Sequence, residues 1–524
     1  MKAKHLISAK SVAATLLFSV FPILTFYVNN ISELSINFQK APIFYSLLIT
    51  SILLAVASLL YKNIHKGALS VLVLVFIFFT YGHISNYLDD KLFIKINEDF
   101  VLGPDKILLP LVLFAYLIFV LKLFKSKSGL SKILTTLAFV GLLLTLYPSI
   151  VIAHNQYKLA KLQSFSIQSI QPKIKITAER PDVYHIILDG YARNDVLKSL
   201  YSYDNSDFTD ELTSLGFFVD DNARSNYIHT YVSLPSTFNM MYLDELPEVH
   251  GINPPTGYAA RDMMRNNLAL QRFKELGYKT ISFDTWWEGT DESYQADTIY
   301  EADKTFKIAN INVPTSHSTM TFLSTTLLTP LISEVWDDIQ RVEILGIYER
   351  LPDIAYQAGP KYTLAHVIAP HPPYLFDKDG NPNSGEGSLS GDEGIEKRPE
   401  YVGQLEYISK LTLATIKKLI ANSSNLPIII LHADHGPAST FGKREDWQKN
   451  YSETALKERS AILYAIYFPD GDYLEFEKTN TPVNTYRILF NKYFGENYEL
   501  LPDKVYYSDY DAIYKFEDIT DIGN

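Results

Sequence analysis

The stretch Ile428-Ile429-Ile430-Leu431-His432-Ala433-Asp434-His435-Gly436 decides the fold of the second part of the chain. A run of apolar, mostly β-branched residues that stops at an Asp-His pair and a glycine is typical of a buried parallel strand that ends at the carboxyl edge of a sheet. A second stretch, Asp182-Val183-Tyr184-His185-Ile186-Ile187-Leu188-Asp189-Gly190, has the same form and also ends in Asp-Gly. The sequence therefore predicts two buried strands, each with an acid at its tip.

These two acids, together with a neighbouring histidine, indicate a metal site. Carboxylate oxygens and an imidazole nitrogen suit one hard or borderline divalent cation. Either acid alone is equally well explained as a cap for the helix or turn that follows it. The combination of Asp189, Asp434 and His435 favours the metal site.

The first part of the chain is dominated by apolar runs. Five runs up to about residue 153 of the 524 are each long enough to cross a bilayer, which takes ~20 apolar residues. The first run follows several lysines, as a signal peptide would, but it lacks a cleavage site of small residues and is expected to remain as a helix. The predicted spans are 11–29, 42–61, 68–86, 107–125 and 132–153.

Charges between the predicted spans indicate the orientation in the membrane. Lysines precede span one, lie between spans two and three (Lys62 and Lys66), and flank the junction of spans four and five (Lys125 and Lys127). The other loops are mixed or acidic. Because positively charged loops stay in the cytoplasm, the N-terminus is expected there, and five crossings place everything after Ala153 outside the cytoplasm.

The overall composition excludes several kinds of chemistry. The chain has no cysteine, so disulfides, a thiolate zinc site and a cysteine nucleophile are excluded. Its net charge is −12, so nucleic acid is not an expected partner.

Beyond residue 180, strand patterns alternate with helix patterns, including an apparent single helix over 258–277. This alternation predicts an α/β domain with a mostly parallel central sheet. The expected organisation is a five-helix transmembrane domain at 1–153, a linker at 154–180 and an exported domain at 181–524.

A run of hydroxyl residues, Thr230-Tyr231-Val232-Ser233-Leu234-Pro235-Ser236-Thr237, follows the first acid-tipped strand and resembles the start of a helix. A hydroxyl at a helix N-terminus lies among free backbone N–H groups at the positive end of the dipole, where it can bind phosphate or become an alkoxide near a metal. Ordinary N-capping by Thr or Ser explains the same residues.

Three signals in this order resemble the sulfatase/alkaline-phosphatase superfamily: Ile186–Gly190, Thr230-x-x-Ser233-x-Pro235, and Asp434-His435-Gly436. The whole arrangement is similar to the membrane-anchored members, the lipid A phosphoethanolamine transferases and the lipoteichoic acid synthases, which carry five N-terminal spans and an exported catalytic domain. The resemblance implies an alkaline-phosphatase-like exported domain. It also implies a multi-pass protein of the bacterial inner (plasma) membrane, with that domain in the periplasm or outside the cell.

The resemblance also implies roles for individual residues. Asp189 takes the place of the first acidic ligand, which is Glu in the transferases, while Asp434 and His435 match the remaining ligands. Thr230 matches the threonine that attacks phosphorus and contacts the metal, and His371 matches a substrate-side histidine. One divalent metal, Zn or Mn, is expected. Three other histidines are interpreted as structural: His229, His366 and His432.

The chain departs from the family pattern in three places. Pro437 stands where an acid often follows Asp-His-Gly, and the stabilising cysteines of the transferases are absent. Sulfatases require Cys or Ser-x-Pro-x-Arg, and the nearest match, Ser233–Thr237, has Thr237 at the arginine position. This last departure argues against hydrolysis of sulfate esters.

The expected function is that of a membrane phosphotransferase. It would move phosphoethanolamine or phosphoglycerol from a phospholipid donor to an envelope glycan or lipid, such as lipopolysaccharide, through a phospho-threonine intermediate. Two alternatives stay open: a metal-dependent hydrolase (a phosphodiesterase or unusual sulfatase) with water as acceptor, and an inactive sulfatase-like partner in glycan export.

Overall fold

A computed structural model describes most of the chain. The described residues are 2–31, 34, 36, 38–88, 94–95, 101–102, 104–126, 129–162, 180–252, 258–285, 287, 290, 296–301, 305–308, 311–314, 317–383, 394–443 and 446–522. Most of the predicted linker (163–179) lies outside them. The chain divides into two compact units, the first comprising Met1–Gln168 and Thr315–Trp336, and the second Ser169–Pro314 and Asp337–Asn524.

The first unit is built on long apolar helices. They are α1 (Lys2–Asn29), α2 (Lys40–Tyr61), α3 (Ile64–Leu88), α4 (Pro104–Lys125) and α5 (Ser131–Leu162), and the short antiparallel strands β1 (Ile94–Lys95) and β2 (Val101–Leu102) lie between α3 and α4. All five helices are long and apolar enough to cross a membrane, which confirms the five predicted spans. Helix α1 packs against α2, α3 and α5, and α4 exposes Leu111, Phe114 and Leu117, as a lipid-facing helix would.

The second unit contains a seven-stranded sheet. Its strands run in the order β4-β11-β10-β3-β9-β5-β6, and β10, β3, β9, β5 and β6 are parallel, as the sequence predicts. Strand β11 is antiparallel to both β10 and β4. The described strands of this unit are β3 (Val183–Leu188), β4 (Phe218–Val219), β5 (Lys279–Phe283), β6 (Thr298–Tyr300), β7 (Thr305–Ile308), β8 (Ile311–Pro314), β9 (Lys361–Val367), β10 (Ile428–His432), β11 (Tyr464–Tyr467), β12 (Tyr506–Asp509) and β13 (Ala512–Asp518).

Helices connect these strands. In chain order they are α6 (Asn194–Tyr201), α7 (Ser206–Ser214), α8 (Thr230–Asn239), α9 (Leu246–His250), α10 (Tyr258–Arg265), α11 (Leu268–Glu275), α12 (His317–Leu323), α13 (Thr329–Ile354), α14 (Arg398–Asn422), α15 (Glu453–Ser460) and α16 (Thr485–Phe494), with 3₁₀ turns at Ile395–Lys397, Phe476–Lys478 and Pro482–Asn484. Helix α12 and the start of α13 belong to the first unit.

One predicted helix is divided. The apparent single helix over 258–277 is broken between α10 and α11, because the side chain of Asn267 accepts a hydrogen bond from the Leu270 amide (2.8 Å) and starts a new helix there. A capping asparagine thus overrides an apolar pattern that continues through it.

The register of the two central strands brings the predicted ligands together. Both β3 and β10 are buried along their whole length, which explains why their sequences are apolar on both faces. His432 pairs with Ile187 in the parallel ladder, so the residues two positions further on, Asp434 and Asp189, emerge at the same level of the carboxyl edge. This edge carries the candidate site.

Candidate metal centre

Asp189 and Asp434 lie side by side where their strands end. The backbone N–H of Asp189 still belongs to the sheet and donates to the carbonyl of Val367 (3.0 Å). Gly190 follows with φ of 74°, a left-handed conformation that favours glycine, and its N–H donates to Asp434 Oδ1 (3.2 Å). The Asp-Gly turn after β3 therefore holds the carboxylate of Asp434, which follows β10.

His435 is oriented by the glycine that follows it. Its Nδ1 lies 2.9 Å from the carbonyl oxygen of Gly436, which can only accept, so Nδ1 carries the proton and Nε2 keeps its lone pair. Gly436 is required by close backbone packing, because its N–H donates to the carbonyl of Arg459 (2.7 Å) and a Cβ would overlap the carbonyl oxygen of Glu458. The Asp-His-Gly motif thus presents a ligand nitrogen of defined tautomer.

The three predicted ligands form one buried cluster. One ligand atom from each of Asp189, Asp434 and His435 lies within 4.8 Å of the others. His435 Nε2 is 3.3 Å from Asp434 Oδ2 and 3.7 Å from Asp189 Oδ1. Ligands about 2.1 Å from a tetrahedral zinc would lie about 3.4 Å from one another. Among the described residues, Asp189 Oδ1 and Asp434 Oδ2 are buried without a hydrogen-bond partner, so the cluster fits a divalent cation.

Thr230 lies beside the cluster of Asp189, Asp434 and His435. It is the first residue of α8, and its Oγ1 is 3.0 Å from His435 Nε2. The N-cap position belongs to His229, whose side chain makes no capping hydrogen bond, so the hydroxyl of Thr230 faces the cluster from the first turn. Ser233, one turn later, is fully buried and donates to the backbone carbonyl of Asp434 (2.7 Å). The two hydroxyls therefore have different surroundings.

His371 lies at the edge of the cluster. Its N–H donates to the carbonyl of Asp189 (2.9 Å), and its ring centroid is 6.1 Å from that of His435. The ring is half-buried in its proline-rich loop, and Nδ1 donates to the carbonyl of Pro372 (2.6 Å), which leaves Nε2 as the basic nitrogen. The structure therefore brings all five predicted site residues together.

Two further residues reach the cluster that the sequence analysis did not assign to it. His366, interpreted above as structural, lies on β9 with Nε2 3.3 Å from Asp189 Oδ2 and Nδ1 3.0 Å from Thr290 Oγ1. Its position in a buried strand, five residues before His371, was the signal that could have revealed it. By contrast, His432 and His229 are packed: His432 lies against the ring of His185, and His229 stacks on Trp447.

Arg459, at the end of α15, is the second addition. It is buried, with Nη2 3.1 Å from His435 Nε2, and it donates to the carbonyls of Gly436 (Nη1, 2.7 Å) and Ile228 (Nε, 2.8 Å). Nothing in the local sequence around it marks it as a site residue. A guanidinium at this position adds positive charge beside a cluster that holds two carboxylates.

Burial and neighbouring charges set the protonation of the cluster. Burial opposes ionisation of Asp189, but the charges of the surrounding histidines, His371 first, outweigh it and keep its pKa below the ordinary value. Burial, reinforced by the charge of Asp189, raises the pKa of Asp434 to about 6. Burial and the charge of Arg459 lower the pKa of His435 well below its usual value, which favours the neutral, metal-binding imidazole.

A mostly parallel sheet with an Asp–Asp–His cluster and a helix-terminal threonine at its carboxyl edge defines a candidate metal-site domain of the α/β class. A family model described as Sulfatase matches residues 181–472, which is more than half of the chain. The chain belongs to the sulfatase family, and the resemblance drawn from its motifs is confirmed at that level. No curated protein sequence matches the chain.

Several solved structures are similar to the chain at low identity. The C-terminal periplasmic domain of EcEptC from Escherichia coli is 14% identical, with 66% of this chain and 95% of that chain covered and a TM-score of 0.40. The integral membrane lipooligosaccharide phosphoethanolamine transferase A (EptA) from Neisseria meningitidis is 11% identical over 93% of this chain and 94% of its own, with a TM-score of 0.39. The putative sulfatase yidJ from Bacteroides fragilis is 15% identical, covering 66% and 84%, with a TM-score of 0.37.

Proposed function

We propose that this protein is a membrane phosphotransferase. It takes a phosphoethanolamine or phosphoglycerol group from a phospholipid and places it on a glycan or lipid of the bacterial envelope. The observation that carries the proposal is the position of Thr230 Oγ1, 3.0 Å from His435 Nε2, beside the buried cluster of Asp189, Asp434 and His435. A hydroxyl at this position supports the role of a nucleophile rather than that of a cap.

The residues of the cluster have separate tasks. Asp189, Asp434, His435 and the oxygen of Thr230 would hold one divalent cation, Zn²⁺ or Mn²⁺. When bound, such a cation lowers the pKa of a hydroxyl beside it and offsets negative charge on phosphate. The guanidinium of Arg459 adds a fixed positive charge on the same side, which favours an anionic phosphodiester.

The first half of the reaction forms a covalent intermediate. The oxygen of Thr230 attacks the phosphorus of the donor, the bond from phosphorus to the glycerol oxygen breaks, and diacylglycerol leaves with a proton. The headgroup phosphoryl unit is then esterified to Thr230. His371, whose Nε2 is the basic nitrogen, transfers a proton at the entering or leaving oxygen.

The second half returns the enzyme to its starting state. A hydroxyl of the acceptor attacks the phosphorus of phospho-Thr230, the bond to the threonine oxygen breaks, and Thr230 regains its proton. The acceptor carries the phosphodiester away. Water in place of the acceptor would give the hydrolase alternative, so the acceptor alone separates transferase from hydrolase.

Two features of the chain support a lipid donor and a site outside the cytoplasm. Five helices are long and apolar enough to cross a bilayer, and a phospholipid is a substrate that such a protein meets in its own plane. The lysine-rich loops support a cytoplasmic N-terminus, with the domain of residues 181–524 in the periplasm or outside the cell.

Product analysis tests the proposal. The purified full chain, loaded with Zn²⁺ or Mn²⁺, is incubated with labelled phospholipid in the presence and absence of lipopolysaccharide, and the products are identified by mass spectrometry. We expect diacylglycerol and a headgroup-modified acceptor from the wild-type protein and from Thr213→Ala, a matched control whose hydroxyl is exposed on α7. Thr230→Ala should give neither product. Free headgroup phosphate with every acceptor would indicate the hydrolase, and the absence of any metal or turnover would indicate the inactive partner.

A further inference from the structure

The geometry points to a second membrane-associated segment, far along the chain from the five long helices. We propose that residues 317–332 form a re-entrant segment that enters the acyl layer of the lipid leaflet at the end of α1 and α3. The proposal goes beyond the phosphotransferase function and does not depend on the chemistry at Thr230. It rests on α1–α5 as membrane spans.

The sequence of this segment suits a lipid environment. Between Lys307 and Glu334 the chain has no Asp, Glu, Lys or Arg, and its middle is Met320-Thr321-Phe322-Leu323-Ser324-Thr325-Thr326-Leu327-Leu328-Thr329-Pro330-Leu331-Ile332. Charged side chains are the costliest residues to place in a bilayer, so their absence is a precondition for insertion. The segment is too short and too broken to span the membrane, because a turn separates α12 from α13.

The side chains of the segment pack among the membrane helices of the first unit, to which residues 315–336 belong. Phe322 is only 5% exposed, and its ring centroid lies 5.2 Å from that of Phe26 on α1, 6.1 Å from Phe79 on α3 and 6.2 Å from Phe38. An aromatic cluster of this kind holds the segment against the apolar faces of two helices.

The backbone of the segment also meets α3 directly. The N–H of Leu327 donates to the carbonyl of Phe78 (2.8 Å), and Asn86 Nδ2 donates to the carbonyl of Ser324 (3.3 Å). Gly82 makes this approach possible, because a Cβ there would overlap the backbone of Thr325. Small residues that let two backbones come close are a feature of helix packing in membranes.

These contacts lie inside the ends of the spans. Phe26 is one turn before the last residue of α1, and Phe78 is ten residues before the end of α3, a distance of about 15 Å along the helix axis. If α1–α5 cross in succession, α1, α3 and α5 end on the same side, which is the side where the later residues emerge. A returning segment can therefore meet only the C-terminal ends of α1 and α3, and these are the ends that it contacts.

Three hydroxyls of the segment are satisfied within it, as a lipid environment favours, whereas that of Thr321 is buried with no partner among the described residues. The hydroxyls of Thr325, Thr326 and Thr329 donate to the carbonyls of Phe322, Leu323 and Ser324, each at 2.7 Å. Leu331, at the start of α13, is 57% exposed. An acyl chain is a fitting contact for it.

Because the chain has no cysteine, single-cysteine labelling tests the proposal in the full-length protein. Leu331→Cys is labelled with bimane and reconstituted in phosphatidylethanolamine/phosphatidylglycerol vesicles, and its emission is quenched either by brominated lipid or by aqueous iodide. Leu117→Cys on α4 (52% exposed) serves as the lipid control and Leu474→Cys in the second unit (65% exposed) as the aqueous control. We expect brominated lipid to quench the label at Leu331 to the same extent as at Leu117, and we expect iodide to reduce its emission only slightly.

Quenching at Leu331 that follows the aqueous control would overturn the proposal, and so would the lack of lipid quenching at Leu117, because the spans themselves would then be wrong. A second variant tests the contact with α3. Gly82→Val in the Leu331→Cys background should displace the segment and shift the label from lipid quenching towards iodide quenching. Gly346→Val, in α13 with open space around its Cα, should leave the quenching unchanged. Equal behaviour of the two variants would show that the segment does not rest on Gly82.

Discussion

Thr230 and Ser233 provide the sharpest test of the site, because they carry similar hydroxyls one turn apart but have different partners. Thr230 faces His435 Nε2 at 3.0 Å, whereas Ser233 is fully buried and donates to the backbone carbonyl of Asp434 at 2.7 Å. The substitutions Thr230→Ala and Ser233→Ala are therefore expected to separate activity from stability. Thr230→Ala removes the nucleophile, and Ser233→Ala removes a structural hydrogen bond.

The size of the Ser233 effect follows from its single hydrogen bond. A net contribution of about 1 kcal/mol, increased by the loss of a partner for a buried carbonyl, gives a cost of about 2 kcal/mol in the free energy of unfolding. This is larger than a lost helix cap would suggest and smaller than the loss of a large core side chain. Asp434 follows β10 by two residues, and the substitution leaves the β10–β3 ladder intact, so turnover by the folded variant should remain within about tenfold of the wild type, or 1.4 kcal/mol.

Two assays distinguish these effects. Denaturant unfolding in detergent gives the stability of each variant, and the release of diacylglycerol from phospholipid gives its turnover at a temperature where all variants are folded. Thr230→Ala should be nearly as stable as the wild type but inactive, and Thr230→Ser should retain part of the activity. If Ser233→Ala were inactive while Thr230→Ala turned over, the assignment of the nucleophile would be refuted.

Three further predictions concern the metal, the effect of pH and the topology. Asp434→Ala or His435→Ala should lose most bound metal, measured by elemental analysis, and keep the wild-type circular dichroism spectrum; full metal content in both would mean that the Asp-His pair only ends a strand. Burial raises the pKa of Asp220 to about 6 in the folded protein, above its value of about 3.8 in the unfolded chain. The contribution of Asp220 to the free energy of unfolding is therefore complete below pH 3.8 and is lost as the pH rises through about 6. Asp220→Asn should therefore be more stable than the wild type at pH 8, by up to about 3 kcal/mol, with the difference vanishing near pH 4, whereas a constant difference would contradict this reasoning. A reporter fused after Lys127 should be cytoplasmic and one fused after Asn524 should be outside, and a cytoplasmic C-terminus would overturn the proposed orientation.

The parts of the fold that could be predicted are those in which local sequence carries the whole signal. Strands β3 and β10 are buried on both faces, so their residues must be apolar throughout, and the acids at their ends stand out. Parallel strands bring such ends to one edge, which is why Asp189 and Asp434 could be placed together before their register was known. The five long helices are equally visible from length and composition.

The parts that could not be predicted depend on contacts between distant residues. His366 looks like any buried strand residue until the register with β3 places it beside Asp189, and Arg459 reaches His435 from a helix with no motif of its own. The division of the 258–277 helix depends on the capping bond that the Leu270 amide donates to the side chain of Asn267, and a continuous apolar pattern conceals it. The return of residues 317–332 to the membrane helices is likewise a tertiary contact, since the run is too short to be recognised as a span.

The most direct test of the central claim is to trap the covalent intermediate. The metal-loaded protein is incubated with phospholipid in the absence of any acceptor, quenched in acid, digested and mapped by mass spectrometry. The proposed mechanism predicts one headgroup phosphoryl unit on the peptide that contains Thr230, which disappears when an acceptor is added and is absent from Thr230→Ala. Modification of Ser233 instead, or an unmodified Thr230 in a fully active enzyme, would contradict it.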